Sequence, residues 1–312
     1  MSKLRISIVE FLNTAPLVWG FTDGPLEGRY DLSFTVPSLC AEALRTSEAD
    51  VAIIPAIEYQ RMDGMVVLPE MAVAAAGEVR SILVIAKMPM DRVRRLALDT
   101  NSRSSVALVR LLCRGLWGIA PEFVNMPPDP SAMLAETDAA LLIGDPALRL
   151  RLRADFLAAK QATGGASCCT GDAEDAVVPG VSTLFLYDVA HEWREMTGKP
   201  CVLALWAGRR DTVTPEVVAD FLASRDYGLA HINDIAEGAA LKLDLPPRDL
   251  ETYLRRNIDF SLDAGNLAGL ELYFRLAAEA GLIPYARPVE FAAAPASVGA
   301  SGARAGRAGE TR

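Results

Sequence analysis

Three short stretches of this 312-residue chain concentrate side chains suited to holding a small organic anion. Asn13 and Thr14 stand where the apolar run Arg5 to Val9 gives way to a helix pattern led by Pro16. Asn and Thr oxygens satisfy the unpaired N–H groups of a first helical turn, and proline is tolerated there. A strand's carboxyl end meeting a helix's amino end is also where open α/β sheets place ligands. The pair therefore reads either as a cap or as a ligand contact. Arg80 and Ser81 fall inside the strand-like run Val79 to Ile85. An arginine there needs a charged partner, or else lies on a strand edge in solvent. Thr100, Asn101, Ser102, Ser104 and Ser105 surround Arg103 where another helix pattern opens. Backbone N–H groups and the helix dipole make such a turn a site for a carboxylate or phosphate, the alternative being a well-capped helix in an ordinary loop. Asp145, between Ile143 and Pro146, could orient a cleft group or close an Asx turn.

Other chemistries lack their residues. There is no dinucleotide or Walker-type glycine fingerprint and no G-x-S-x-G elbow. His191 and His231 have no Cys/His grouping, so neither a metal nor a cofactor is expected. A net charge of −9 argues against a nucleic-acid surface, while leaving room for a locally positive pocket. Five cysteines without a CxxC pair suit a reducing cytosol, with Cys168 and Cys169 read as exposed thiols. The apolar run after Lys3 and Arg5 is too short for a signal peptide, and no run approaches the ~20 residues a bilayer span needs. A cytoplasmic protein with a small-molecule substrate, and no membrane or nucleic-acid partner, is expected.

The elements that must position these residues follow an α/β alternation. Residues 4–54 read strand–helix–strand–helix–strand, which predicts a parallel sheet. Strands are expected at 65–68, 71–76 and 79–85. A second unit of similar plan follows, with strands at 96–98, 121–125 and 139–143. Its helix Ser104 to Trp117 carries Val109, Leu112 and Leu116 at buried-face spacing. Strands near 182–187 and 202–207 precede a mainly helical end. Residues 162–180 read as a surface loop and 290–312 as a disordered tail poor in large apolar residues. Two such units predict two lobes with a ligand cleft between them. Lobe 1 takes 1–88 plus 204–289 and lobe 2 takes 89–203, with crossings near 85–92 and 198–206.

Several runs resemble the chorismate dehydratase family of the futalosine route to menaquinone. They are Val9–Val18, Ala49–Glu58, Val79–Leu83, Leu98–Leu108, Ala140–Leu148, Glu192–Gly198 and Tyr253–Leu262. The resemblance spans about residues 4–288 and implies a two-lobed, type II periplasmic-binding-protein-like α/β fold with two hinge-crossing segments and a central cleft. It implies a lyase that removes water from chorismate to give 3-[(1-carboxyvinyl)oxy]benzoate, with Asn13 and Ser81 facing the substrate. Arg80, Thr100, Ser102, Arg103, Ser104, Ser105 and Asp145 are then expected to bind the dianion. No His, Lys or carboxylate base stands in the three seams, so positioning and electrostatics carry the expected catalysis, with the substrate's own carboxylate as proton acceptor. The sister 1,4-dihydroxy-6-naphthoate synthase and a non-catalytic solute-binding protein are the alternatives.

Overall fold

The computed structural model describes residues 3–162 and 184–294. In chain order the elements begin β1 (Arg5–Val9), α1 (Ala15–Thr22), β2 (Asp31–Thr35), α2 (Pro37–Arg45), β3 (Val51–Pro55), α3 (Ala56–Tyr59) and β4 (Met65–Ala75). Next come β5 (Ile82–Ala86), β6 (Arg95–Asp99), α4 (Ser104–Gly115), β7 (Glu122–Met126), α5 (Pro130–Glu136), β8 (Ala139–Ile143) and α6 (Gly144–Ala162). The chain closes with β9 (Phe185–Asp188), α7 (Val189–Thr197), β10 (Cys201–Arg209), α8 (Pro215–Ala230), α9 (Ile232–Leu243), α10 (Pro247–Arg256) and α11 (Ala264–Glu279).

The strands form two five-stranded mixed sheets, ordered β2-β1-β3-β10-β4 and β7-β6-β8-β5-β9. β1 runs parallel to β2 and β3, and β6 parallel to β7 and β8, as two α/β units dictate. β10 lies antiparallel between β3 and β4, and β5 antiparallel between β8 and β9. The central strands β3, β5 and β8 are buried at every residue, which is why their sequences are continuous apolar runs rather than alternations.

The chain leaves the first sheet at Ala75 and enters the second at Ile82, then returns between Thr197 and Cys201. β5 pairs only within the second sheet, so we draw the first crossing at 76–81 rather than near 85–92. The two short strands expected at 65–68 and 71–76 are one strand, β4. Its ladder with β10 skips from Val67 to Ala72, where Pro69 supplies no N–H and Glu70 takes φ 63°. Leu116 lies beyond the end of α4 and is exposed, unlike Val109 and Leu112. Val67 donates to the Glu290 carbonyl and accepts the Ala292 N–H, so ordered pairing runs three residues into the expected tail. The rest of that tail from 295, the expected loop beyond Ala162, and Cys168 and Cys169 fall outside the described residues.

α1 is held against α8 by backbone-to-backbone approach. A Cβ on Gly20 would meet the Ser224 Cα at 2.5 Å, and one on Gly228 would run into the Pro16 carbonyl. Ser224 also donates to the Leu17 carbonyl at 3.0 Å. This contact fixes the turn that carries Asn13. Gly228→Ala is expected to force the helices apart and cost about 1–3 kcal/mol, read as a lowered urea midpoint; an unchanged midpoint would mean that α8 can shift freely.

Candidate functional site

Strand ends and helix starts from both sheets enclose a narrow cavity of about 50 Å³. Val9 ends β1, Pro55 ends β3 and Ile143 ends β8, while Pro37 and Ser104 open α2 and α4. Asn13, Ser102, Arg103, Ser104 and Ser105 all line it, so five of the nine expected site residues come together. Among the described residues Arg103 is the only charged side chain on its wall.

Asn13 sits in a 3-10 turn, Leu12–Thr14, and no side chain caps that turn or α1. Thr14 instead donates its hydroxyl back to the carbonyls of Val9 and Phe11. The Leu12 N–H at the head of the turn goes to Asp145 Oδ1 at the start of α6, 2.9 Å away. Capping is thus done by Asp145, and the Asn13 amide is left for other work. Burial raises the Asp145 pKa above the usual carboxylate range, and the Leu12 N–H pulls it back. Asp145 itself faces a separate cavity of about 360 Å³, alongside the Glu10–Lys242 ion pair at 2.7 Å.

Ser81 is 1% exposed and lies behind the cavity wall, next to Ile82, which lines it. Its hydroxyl accepts a 2.8 Å hydrogen bond from Tyr253 of α10. Arg80 turns the other way. Its backbone adopts φ 62°, ending the strand pattern before β5, and its guanidinium pairs with Asp155 of α6. The structure does not bring Arg80 to the cavity, because its charge has a partner elsewhere. Thr100 is likewise off this wall; with Arg61, Arg103 and Arg110 it lines an adjoining hollow of about 420 Å³.

The start of α4 is fixed from the first sheet's side. Ser104 Oγ accepts the Ile57 N–H at 3.2 Å, and its carbonyl accepts the Tyr273 hydroxyl at 3.0 Å. Gly144 makes the facing wall possible: at φ 68° it lies against Phe11, whose ring a Cβ would meet at 2.5 Å. Among the described residues no group of three or more His, Cys, Asp or Glu is placed to hold a metal.

Tyr253 and Asp99 escaped sequence reasoning. Leu250, Tyr253 and Leu254 mark a buried helix face, and a phenol on such a face needs a hydrogen-bond partner; that was the available signal. Asp99 ends β6 and holds the 100–105 turn by accepting the Asn101 N–H at 2.9 Å.

A family model described as menaquinone biosynthesis matches residues 4–279. A chorismate dehydratase from Thermus thermophilus is 28% identical over 288 residues, 92% of this chain and 98% of that protein. Protein AF1704 from Archaeoglobus fulgidus has a similar structure, with a TM-score of 0.66 at 20% identity over 90% of this chain and 98% of that one. The periplasmic aliphatic sulphonate binding protein SsuA from Escherichia coli aligns with a TM-score of 0.60 at 14% identity, covering 99% and 97%. These two likenesses establish the two-lobed binding-protein fold and nothing of chemistry.

Asp99 offers a check on the site's scaffold. It is 1% exposed, its Oδ2 has no hydrogen-bond partner, and burial lifts its pKa from 3.8 to about 6 against the pull of the Asn101 N–H. The folded state therefore holds this proton more tightly than the unfolded chain. Its stabilising effect is complete below pH ~4 and lost as pH rises through about 6. Asp99→Asn is expected to gain up to about 3 kcal/mol over the parent at pH 7.5 and nothing at pH 3.5, measured by urea unfolding. Parallel pH profiles would contradict the assignment.

Proposed function

The chain belongs to the menaquinone-biosynthesis family, and from that premise we propose that it is a lyase that removes water from chorismate to give 3-[(1-carboxyvinyl)oxy]benzoate. The observation that carries this reading is the cavity wall: neutral donors, one arginine, and no acid or base. Such a wall suits a dianionic substrate that brings its own base. The C3–H electron pair forms the new ring double bond while the C4–O bond breaks. The side-chain carboxylate at C3 takes the proton and hands it to the departing hydroxide, so the step releases water and needs no oxidant. An aromatic ring results, which supplies the driving force.

Protein groups then have three tasks. Arg103 and the N–H groups opening α4, with Ser102 and Ser105 beside them, hold the ring carboxylate. Asn13 and Ser81 hydrogen-bond the C4 hydroxyl and the charge that develops on it. Apolar walls from both sheets exclude water, which strengthens those hydrogen bonds. The cavity of about 50 Å³ is far below the ~300 Å³ lower end of ligand pockets, so substrate entry parts the two sides. Arg61, Arg103 and Arg110 around the adjoining hollow favour the approach of an anion. Buried free thiols at Cys40, Cys113 and Cys201 accord with a cytoplasmic enzyme.

Purified protein given chorismate without added cofactor is expected to yield an aromatic product, followed by absorbance and identified by mass. Binding without turnover would instead mark a solute-binding protein. Asn13→Ala and Ser81→Ala should each lower kcat by ~100-fold, the scale of one oriented transition-state donor; near-parental turnover in both would sink their assignment. Arg103→Ala should raise KM more than it lowers kcat, and the reverse would move Arg103 into the chemistry.

A further inference from the structure

We propose that Tyr253 is a positioning residue of the elimination, its hydroxyl fixing the hydrogen-bond direction of Ser81. This rests on the dehydratase reading and adds a residue to it. Tyr253 lies on the buried face of α10 between Leu250 and Leu254, only 1% exposed. Its packing needs an aromatic ring, and a phenylalanine would fill the same space. The hydroxyl is what packing leaves unexplained.

That hydroxyl donates to Ser81 Oγ at 2.8 Å. Ser81 closes the crossing into the second sheet. The phenol reaches it from a helix near the end of the chain, 172 positions away in sequence. The crossing itself is anchored to the same helix, since the Asn257 amide donates to the Glu78 carbonyl at 3.0 Å.

Donor counting sets the polarity. A phenol has one proton, and here it is committed to Ser81 Oγ. Ser81 has one lone pair engaged by Tyr253, and its own proton has no acceptor among the described residues. That proton is left for the substrate. The chain of donors runs Tyr253 to Ser81 to the departing C4 oxygen, the direction an elimination of hydroxide requires. Each bond in such a chain polarises the next. No proton leaves Tyr253: burial raises its pKa far above the ordinary tyrosine value, so it stays a neutral relay of orientation.

Tyr253→Phe keeps the ring and removes the hydroxyl. The expected result is a kcat lowered about 10- to 100-fold with KM within about twofold, because the ground-state anion contacts at α4 are untouched. In the Ser81→Ala background, Tyr253→Phe should cause no further loss, since its effect passes through Ser81. Full kcat in Tyr253→Phe, or losses that multiply in the double variant, would overturn the proposal. Should the phenylalanine variant unfold, 3-fluorotyrosine at position 253 serves instead. This stronger donor of nearly equal size is expected to raise kcat, and an unchanged kcat would count against the proposal. Parental turnover of chorismate in the same assay tests the dehydratase reading, and the variant-to-parent ratio tests Tyr253.

Discussion

The carboxylate of Asp188 is the fixed point from which the site is built. It is buried at the head of α7 and accepts four backbone N–H groups. Two belong to its own helix, Ala190 and His191, each at 3.1 Å. The other two belong to the first crossing, Val79 at 3.1 Å and Arg80 at 2.6 Å. Burial still raises its pKa, so desolvation outweighs those four donors in setting its proton affinity. The balance is different for geometry. A non-glycine residue in the left-handed region costs about 1–2 kcal/mol, while hydrogen bonds to a charged group contribute about 1.5–3 kcal/mol each. Two such bonds hold Arg80 at φ 62°. That backbone turn sends the Arg80 side chain toward α6 and leaves Ser81 facing α10, so the position of a proposed catalytic hydroxyl follows from a carboxylate that never touches the cavity.

The rest of the cavity is assembled from contacts that cross between the two sheets. Asp145 reaches over to the Leu12 N–H, Phe11 lies on Gly144, and Ser104 is held by Ile57 and Tyr273. Each contact joins a residue after the first sheet's strands, or from the C-terminal helices, to the start of α4 or α6. These contacts position donors to within hydrogen-bond distances and also shut the cavity down to a volume below that of a substrate. Closure and preorganisation are one set of interactions. Parting the two sides there would break the Asp145–Leu12 bond or lift Phe11 from Gly144.

What the sequence made legible, and what it hid, divides along physical lines. The buried strands were readable because burial on both faces leaves continuous apolar runs, as in β3 and β8. The start of α4 was readable because hydroxyls crowd a helix amino end. Asn13 was ambiguous: its residue type fits a cap, and only the structure shows that Asp145, more than a hundred residues away, takes the N–H a cap would serve. Arg80 misled because alternation reports burial, not the sign of φ, and a single left-handed residue ends a strand without altering the pattern. Tyr253 was hidden for another reason. Its spacing marks it as buried, but which polar atom its hydroxyl meets depends on how α10 packs over the crossing, a long-range fact with no local signature. The same holds for the crossing itself, since a strand pattern at 79–85 says nothing of which sheet it joins.

The neighbours of similar fold include proteins that bind sulphonates, and the difference between binding and turnover here is physically small. A two-lobed cleft of this kind already presents helix amino ends and an arginine toward an anion. For a substrate that carries its own base and gains an aromatic ring, catalysis asks only that donors meet the transition state better than the ground state. One well-oriented donor to a developing oxyanion contributes about 3–4 kcal/mol, and correct alignment of the reacting groups adds to it. A serine that is free to rotate supplies little of this, because in the ground state it bonds whatever is nearest. With one lone pair occupied by a buried phenol, Ser81 has fewer directions left for its proton. On the proposed assignment, conversion of a binding cleft into a dehydratase requires no acid or base on the wall, only a hydroxyl whose partner restricts its alternatives.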